Sequence, residues 1–257
     1  MGTYVITGAA SGIGRTTSEI LTSRGHRVVG VDLAGVDVDA DLSTPDGRER
    51  MVEEVRGITG GRIDAVIACA GLSTPTTTTV RVNFYGAVAT LQGLRPLLAG
   101  SPAPRAAAVA SMASLFPPDE ELLTLLLEGT EDEAVARAEV LAADERAGQI
   151  YGTSKRALAL WVRAHAATPE WAGAGIPLNA VAPGIIRTPM TTDLLTTEES
   201  TKALLQQVPM PLNGVAEPET VGYLLAWLTG EENTHLCGQV VFVDGGSDAV
   251  IRGASTW

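Results

Sequence analysis

Tyr151 and Lys155 lie four residues apart in IYGTSK (150–155), inside a stretch whose pattern predicts a helix. Positions i and i+4 project from one helix face, so the two side chains point the same way. A free tyrosine titrates about 3 pH units above neutrality, and an ammonium a few ångströms away can lower its pKa by that order. The pair can therefore move a hydroxyl proton, or it can be an ordinary solvated helix face.

The stretch TGAASGIG joins a predicted strand at 4–7 to a predicted helix at 12–24. Glycine permits positive φ and lets the backbone approach a pyrophosphate, while the N–H groups at the helix start face the anion. Such a string alone can be a tight turn, but between a strand and a helix it indicates a dinucleotide site. The residues expected to contact the cofactor here are Gly8, Ser11, Gly12, Ile13 and Gly14.

Asp32 ends the second predicted strand, 18 residues after Gly14. A carboxylate there accepts hydrogen bonds from the adenosine ribose hydroxyls and repels a 2′-phosphate. Neither Ser11 nor Leu33 supplies a cation to receive such a phosphate. We therefore predict NAD rather than NADP as the cofactor, with Leu33 beside it; a strand cap is the weaker interpretation of Asp32.

Two further segments are expected to contact the cofactor. ADLS places Asp41 and Leu42 beside the adenine, and CAG places Ala70 and Gly71 at the end of the third strand, where the backbone can pass close to the ligand. Cys69 is interpreted as a core cysteine rather than a reactive one.

Apolar strands and helical patterns alternate along the chain, which is typical of a doubly wound fold. Strands are predicted at 4–7, 26–32, 64–71, 105–111, 176–184 and 238–246, and helices at 12–24, 45–57, 80–99, 151–166 and 218–230. The strands are apolar almost throughout, as expected when helices cover both faces of a parallel sheet. We predict the α/β class, with a single Rossmann domain over residues 1–257 and a mainly parallel sheet.

The order of these motifs resembles that of the short-chain dehydrogenases/reductases, and the resemblance covers essentially the whole chain. The matching motifs are TGAASGIG, Asp32, CAG, Asn83 in VNFYG, Ser111 in VAS, YGTSK and APGIIRTPM (182–190). Together they make the plain helix-face interpretation of Tyr151 and Lys155 the weaker one. The resemblance implies an NAD(H)-dependent oxidoreductase that transfers hydride between nicotinamide and a secondary alcohol or ketone.

The resemblance also implies a role for each matching residue. Tyr151 would be the general acid–base, and Lys155 would lower its pKa and bind the nicotinamide ribose. Ser111 would hydrogen-bond the substrate oxygen, and Asn83 would hold a water linking Lys155 to solvent. The positions implied on the nicotinamide side of the cofactor are Tyr151, Lys155, Pro183, Gly184, Ile186 and Thr188.

Two features depart from the common family pattern. The family usually has Asn-Asn-Ala-Gly where this chain has ACAG, so Ala68 and Cys69 lack an amide that braces the neighbouring strand, and local repacking is expected. Ser111 also precedes Tyr151 by 40 residues, a much longer interval than is usual.

The extra residues form an acidic insertion at about 115–147, predicted to be helical, with a stripe of Leu122, Leu125 and Leu126. Its window 119–146 holds ten acidic residues and two arginines, which is −8 of the net charge of −12. With CAG, ADLST and VDGGSDAVIR, it resembles the bacterial 3α-hydroxysteroid dehydrogenase/carbonyl reductase subgroup. Coniferyl-alcohol-type dehydrogenases are similar too.

The insertion precedes the Tyr151 helix, which packs between subunits in many tetramers of the family. We therefore expect a homo-oligomer and favour a dimer built through another surface, with a solvated flap as the alternative role of the insertion. Residues 189–213, rich in Thr, Leu and Met, are expected to form a substrate lid.

Composition narrows the partners. The net charge of −12 argues against nucleic acid and anionic membranes, and no apolar run is long enough to span a bilayer. Two distant cysteines, no signal-peptide pattern and three scattered histidines predict a cytoplasmic protein without a metal site. A small apolar alcohol or ketone is the expected substrate. A non-catalytic NAD-sensing protein and a nucleotide-sugar epimerase are the weaker alternatives.

Overall fold

The computed structural model describes residues 1–256, which form one seven-stranded sheet covered by helices on both faces. The strands are β1 Thr3–Thr7, β2 Arg27–Asp32, β3 Val38–Asp39, β4 Ala65–Ala68, β5 Arg105–Val109, β6 Leu178–Pro183 and β7 Val240–Val243. Their order is β3-β2-β1-β4-β5-β6-β7, and every pairing among the described residues is parallel. This confirms the predicted doubly wound fold, whose strand order reverses between β1 and β4 and opens a crevice there.

Ten α-helices connect and cover these strands within residues 1–256. They are α1 Gly12–Ser23, α2 Pro45–Thr59, α3 Thr77–Val80, α4 Ala87–Leu98, α5 Glu120–Glu128, α6 Glu131–Ala142, α7 Gln149–Ala166, α8 Glu198–Gln207, α9 Pro218–Leu228 and α10 Ser247–Arg252.

Adjacent residues of a strand belong to two separate apolar layers, because successive side chains point to opposite faces of the sheet. Val5 and Val66 pack with α2, α4 and α7, whereas Ile6 and Ile67 pack with α1 and α9. The two layers cover the sheet on both faces and so position the loops at the carboxyl ends of the strands.

Several element boundaries differ from the predictions. The third predicted strand, 64–71, ends as β4 at Ala68, and the two-residue β3 was not predicted. The predicted helix 80–99 is interrupted by a π-helical turn over Arg81–Gly86 between α3 and α4. A period-based prediction cannot detect such a turn, because one inserted residue hardly changes the apolar pattern.

The acidic insertion is helical, as predicted, and contains two helices, α5 and α6. The Asp119 side chain accepts a hydrogen bond from the Leu122 N–H at 2.9 Å and starts α5. Thr130 and Glu133 form a reciprocal capping box that starts α6. Because Gly129 has extended φ and ψ, the chain must leave the first helix before the second begins.

Among the described residues, no helix is both long enough and apolar enough to cross a bilayer.

Candidate active site

A cavity of about 420 Å³ occupies the crevice at the carboxyl ends of the central strands. All the residues predicted to contact the cofactor line it: Gly8, Ser11, Gly12, Ile13, Gly14, Asp32, Leu33, Asp41, Leu42, Ala70, Gly71, Tyr151, Lys155, Pro183, Gly184, Ile186 and Thr188. Ser111 lines the same cavity. The dinucleotide loop and the predicted acid–base residues therefore share one continuous space.

The glycine loop has the close packing that a pyrophosphate cradle requires. Gly8 has φ +72°, and a Cβ there would lie 2.9 Å from the Ala70 backbone. A Cβ on Gly14 would lie 2.1 Å from the Gly8 carbonyl oxygen. No side chain fits at either position, so backbone N–H groups at the start of α1 are left facing the cavity.

Asp32 is oriented by two backbone donors at the mouth of the cavity. One carboxylate oxygen accepts from the Ala10 N–H at 3.0 Å and the other from the Leu33 N–H at 2.7 Å. These bonds hold the negative charge at the position predicted for an adenosine ribose.

Thr7 braces the end of β4, where the chain lacks the usual asparagine pair. Its hydroxyl oxygen accepts from the N–H groups of Cys69 and Ala70, each at 3.1 Å. Burial raises the pKa of Cys69 to about 12, so this thiol stays neutral despite lining the cavity.

Helix α7 carries Tyr151 close to Ser111 because Gly152 permits tight packing. A Cβ on Gly152 would lie 3.0 Å from the Ala113 carbonyl oxygen. The Ser111 hydroxyl accepts from the Ala113 N–H at 3.1 Å, which leaves its own proton free to donate. Burial raises the pKa of Tyr151, and a hydrogen bond with Ser111 opposes that rise.

Lys155 is 3% exposed and donates to the Val109 carbonyl oxygen at 2.8 Å. Burial lowers its pKa to about 8. The ammonium is thus bonded to the end of β5, and the role of Lys155 in lowering the pKa of Tyr151 stays a prediction. Gly71 makes room for the lysine: a Cβ there would lie 3.1 Å from Nζ.

Asn83 lies in the π-helical turn and is fully buried behind the cavity rather than in its wall. Its side chain accepts from the Leu72 N–H at 2.8 Å and donates to the Leu72 carbonyl and to the Ser154 hydroxyl. Asn83 thus fixes the loop after β4 to α7, and its role in holding a water stays a prediction.

The chain after β6 crosses back over the glycine loop. A Cβ on Gly12 would lie 3.3 Å from the Thr188 side chain, and Thr188 starts a short 3₁₀ helix at Pro189–Leu195 that leads to α8. A small apolar cluster joins Val208 and Met210 of this segment to Met112 and Ile185. The segment predicted to be a lid therefore begins at the cavity wall, and its far end packs on Met112 and Ile185.

Sequence reasoning missed several wall residues. They are Val31, Ala40, Ser43, Leu72, Thr78, Val82, Val109 and Ala110, and Cys69 also lines the cavity. Pro189, Met190 and Thr191 line it too and belong to the segment predicted to be a lid. Most are apolar residues without a motif of their own. Their neighbours in sequence are the only signal, since Leu72 and Ser43 directly follow predicted contact residues.

Comparison with known proteins places the chain in a family. The short chain dehydrogenase family model matches residues 3–121, and the model described as enoyl-(acyl carrier protein) reductase matches residues 135–248. The chain is 36% identical over 257 residues to a 3-alpha-hydroxysteroid dehydrogenase/carbonyl reductase of Comamonas testosteroni, covering 98% of each protein. This chain belongs to the short-chain dehydrogenase/reductase family and is an oxidoreductase acting on CH–OH groups.

Two further relatives agree with this placement. A crystal structure of a 3-alpha-hydroxysteroid dehydrogenase from Pseudomonas sp. B-0831, complexed with NADH, superposes with a TM-score of 0.90 at 35% identity, covering 98% of this chain and 99% of that one. A cis-4-hydroxycyclohexanecarboxylate dehydrogenase of Sinomonas cyclohexanicum is 28% identical over 265 residues, covering 96% of each protein. Neither family model covers residues 122–134, which lie within the acidic insertion.

Proposed function

We propose that this protein is an NAD(H)-dependent dehydrogenase/reductase of a secondary apolar alcohol or its ketone, similar to the 3α-hydroxysteroid dehydrogenase/carbonyl reductases. The observation that carries the proposal is the single cavity that contains the glycine loop, Asp32, Ser111, Tyr151 and Lys155. The relative crystallised with NADH, at 35% identity, supports the same cofactor.

Asp32 supports the choice of NAD over NADP. Its carboxylate is held by the Ala10 and Leu33 N–H groups, so it cannot turn away from an adenosine ribose without losing both bonds. A 2′-phosphate at that position would face a fixed negative charge, and Leu33 offers no cation to neutralise it.

The catalytic chemistry divides between three side chains. Bound nicotinamide would supply the carbon centre that exchanges hydride with the carbinol carbon. Ser111 donates its free proton to the substrate oxygen, stabilising alkoxide character, while Tyr151 removes or returns the hydroxyl proton. Lys155 would hold the ribose of the cofactor with the Nζ–H groups that Val109 does not use.

The substrate class follows from the wall beside the catalytic residues. The charged side chains that line the cavity among the described residues are Asp32, Asp41 and Lys155, all assigned to the cofactor. Leu72 and Met190 contribute apolar surface to this wall. A neutral, apolar alcohol matches such a wall, because an ionised substrate would lack a counter-charge there.

Absorbance of NADH at saturating substrate tests this function, with steroid, aromatic and aliphatic secondary alcohols offered with NAD and then NADP. We expect turnover with an apolar alcohol and a preference for NAD. Tyr151→Phe should lower kcat by about 10²–10⁴-fold, the usual contribution of general acid–base catalysis, while NADH binding changes little. Near-full activity of Tyr151→Phe would contradict the mechanism, and a preference for NADP would contradict the role of Asp32.

A further inference from the structure

Glu131, the first residue of α6, is the meeting point of two arginines from outside the insertion. Its carboxylate accepts from Arg48 Nη1 at 2.6 Å and Nη2 at 2.8 Å, and from Arg81 Nη1 at 3.0 Å. The side chains of Arg48 and Glu131 are 10% and 21% exposed. This bidentate, largely buried pair has the geometry that exposed ion pairs lack.

The two arginines keep the Glu131 carboxylate ionised although it is largely buried. Burial alone would raise the pKa of Glu131, but the hydrogen bonds and charges of Arg48 and Arg81 hold it below its ordinary value. The arginines in turn depend on Glu131, since removing one member of a buried pair leaves the other charge without compensation.

Arg48 also contacts the wall of the cavity. Its Nε donates to the Leu42 carbonyl oxygen at 2.8 Å, and Nη2 lies 3.4 Å from the Ser43 carbonyl oxygen. Leu42 and Ser43 both line the cavity at the end predicted to hold adenine. The Arg48 guanidinium therefore lies between the insertion and the adenine wall and bonds to both.

We propose that Glu131 is a positioning residue for the cofactor, which fixes the Leu42–Ser43 wall through Arg48 and so makes the acidic insertion part of the cofactor site. The proposal rests on the NAD-dependent function argued above. Without the Glu131 carboxylate, Arg48 turns towards water and no longer bonds to the Leu42 and Ser43 carbonyls. Cofactor binding must then order this part of the wall, which lowers the affinity for the cofactor.

The test compares Glu131→Gln with Asp132→Asn, measuring the Kd of NADH and of ADP-ribose by titration calorimetry, and kcat at saturating cofactor. Asp132 is adjacent in the first turn of α6, so its substitution controls for the loss of one negative charge near an anionic ligand. We expect Glu131→Gln to weaken both ligands about tenfold or more, while kcat stays within about twofold and Asp132→Asn binds like the wild type.

Two further variants separate positioning from general destabilisation. Arg48→Lys retains the charge but cannot bond to Leu42 and Glu131 together, so we expect the same loss of affinity even if Glu131→Gln folds poorly. Asp119→Asn removes the Arg137 partner at the start of α5 and should lower thermal stability without changing the Kd of ADP-ribose.

The possible failures can be told apart. Wild-type protein that binds no NADH would overturn the proposed function itself. Wild-type protein that binds NADH, with unchanged affinity in Glu131→Gln and Arg48→Lys, would overturn the positioning role. If Asp119→Asn lost as much affinity as Glu131→Gln, general destabilisation would explain the loss, and the positioning role of Glu131 would also be overturned.

Discussion

At the scale of single residues, the Tyr151–Lys155 pair shows what spacing can and cannot determine. The i, i+4 relation correctly places both side chains in one cavity. It does not reveal that β5 ends beneath them and offers the Val109 carbonyl to the ammonium. The direction of a pKa shift depends on such tertiary neighbours, so the Tyr151 pKa could not be predicted from the sequence.

The burial of Lys155 should make the free energy of unfolding depend on pH. The pKa of Lys155 in the folded chain, about 8, lies below its ordinary value. Between about pH 8 and 10.4 the unfolded chain therefore binds more protons than the folded chain. The charged lysine therefore destabilises the fold below pH 8, and this cost disappears as the pH rises. We expect Lys155→Met to be more stable than the wild type by on the order of 3 kcal/mol at pH 7.

Urea unfolding of both proteins from pH 7 to 10.5 measures this difference. The difference in the free energy of unfolding between the two proteins should narrow steadily above pH 8. A gap that is constant with pH, or a Lys155→Met protein less stable at pH 7, would mean that Lys155 is not charged and buried as described.

The sequence reveals the residues that have a special chemical or conformational role in the site. It does not reveal the ordinary apolar residues that line the rest of the cavity wall. Gly8 and Gly14 are required by close backbone contacts, and Asp32 ends a strand, so each leaves a local signal. Leu72 and Met190 are ordinary apolar residues whose place in the wall depends on how distant elements pack. Specificity is therefore harder to read from this chain than chemistry.

At the scale of elements, the insertion is a packed part of the domain and not the solvated flap that the sequence left open. Leu122 and Leu126 are 0% and 3% exposed and share an apolar cluster with Ile150 and Leu158 of α7. The leucine stripe was visible in the sequence, but its partner was not, because amphipathic periodicity does not identify the surface that a helix covers.

Leu126→Ala tests this packing against Leu127→Ala, an adjacent and matched control. Leu126 is 3% exposed and Leu127 is 39% exposed. We expect Leu126→Ala to lower the free energy of unfolding by about 2–5 kcal/mol, the usual range for a buried leucine, and Leu127→Ala to change it far less. Equal, small effects in chemical denaturation would restore the flap interpretation.

At the scale of the whole molecule, the insertion changes which surfaces are available to a second copy. Helix α5 packs directly against α7, so that side of α7 is occupied within the chain itself. The half-buried edge strand β7 and the exposed Tyr223 and Trp227 of α9 remain as apolar surface. An unpaired edge strand and exposed aromatic residues are each typical of a surface that another chain covers.

We therefore propose a homodimer of the 26.7 kDa chain built on the β7–α9 side, rather than a tetramer using α7. Light scattering coupled to gel filtration should give twice the chain mass. Trp227→Glu should shift the protein towards monomer, because a charge is costly to desolvate at an interface. Val140→Glu, at a 55% exposed position on α6, should leave the mass unchanged. A tetramer, or dissociation caused by Val140→Glu instead of Trp227→Glu, would place the contact on the insertion, which would then join subunits as well as brace the cofactor site.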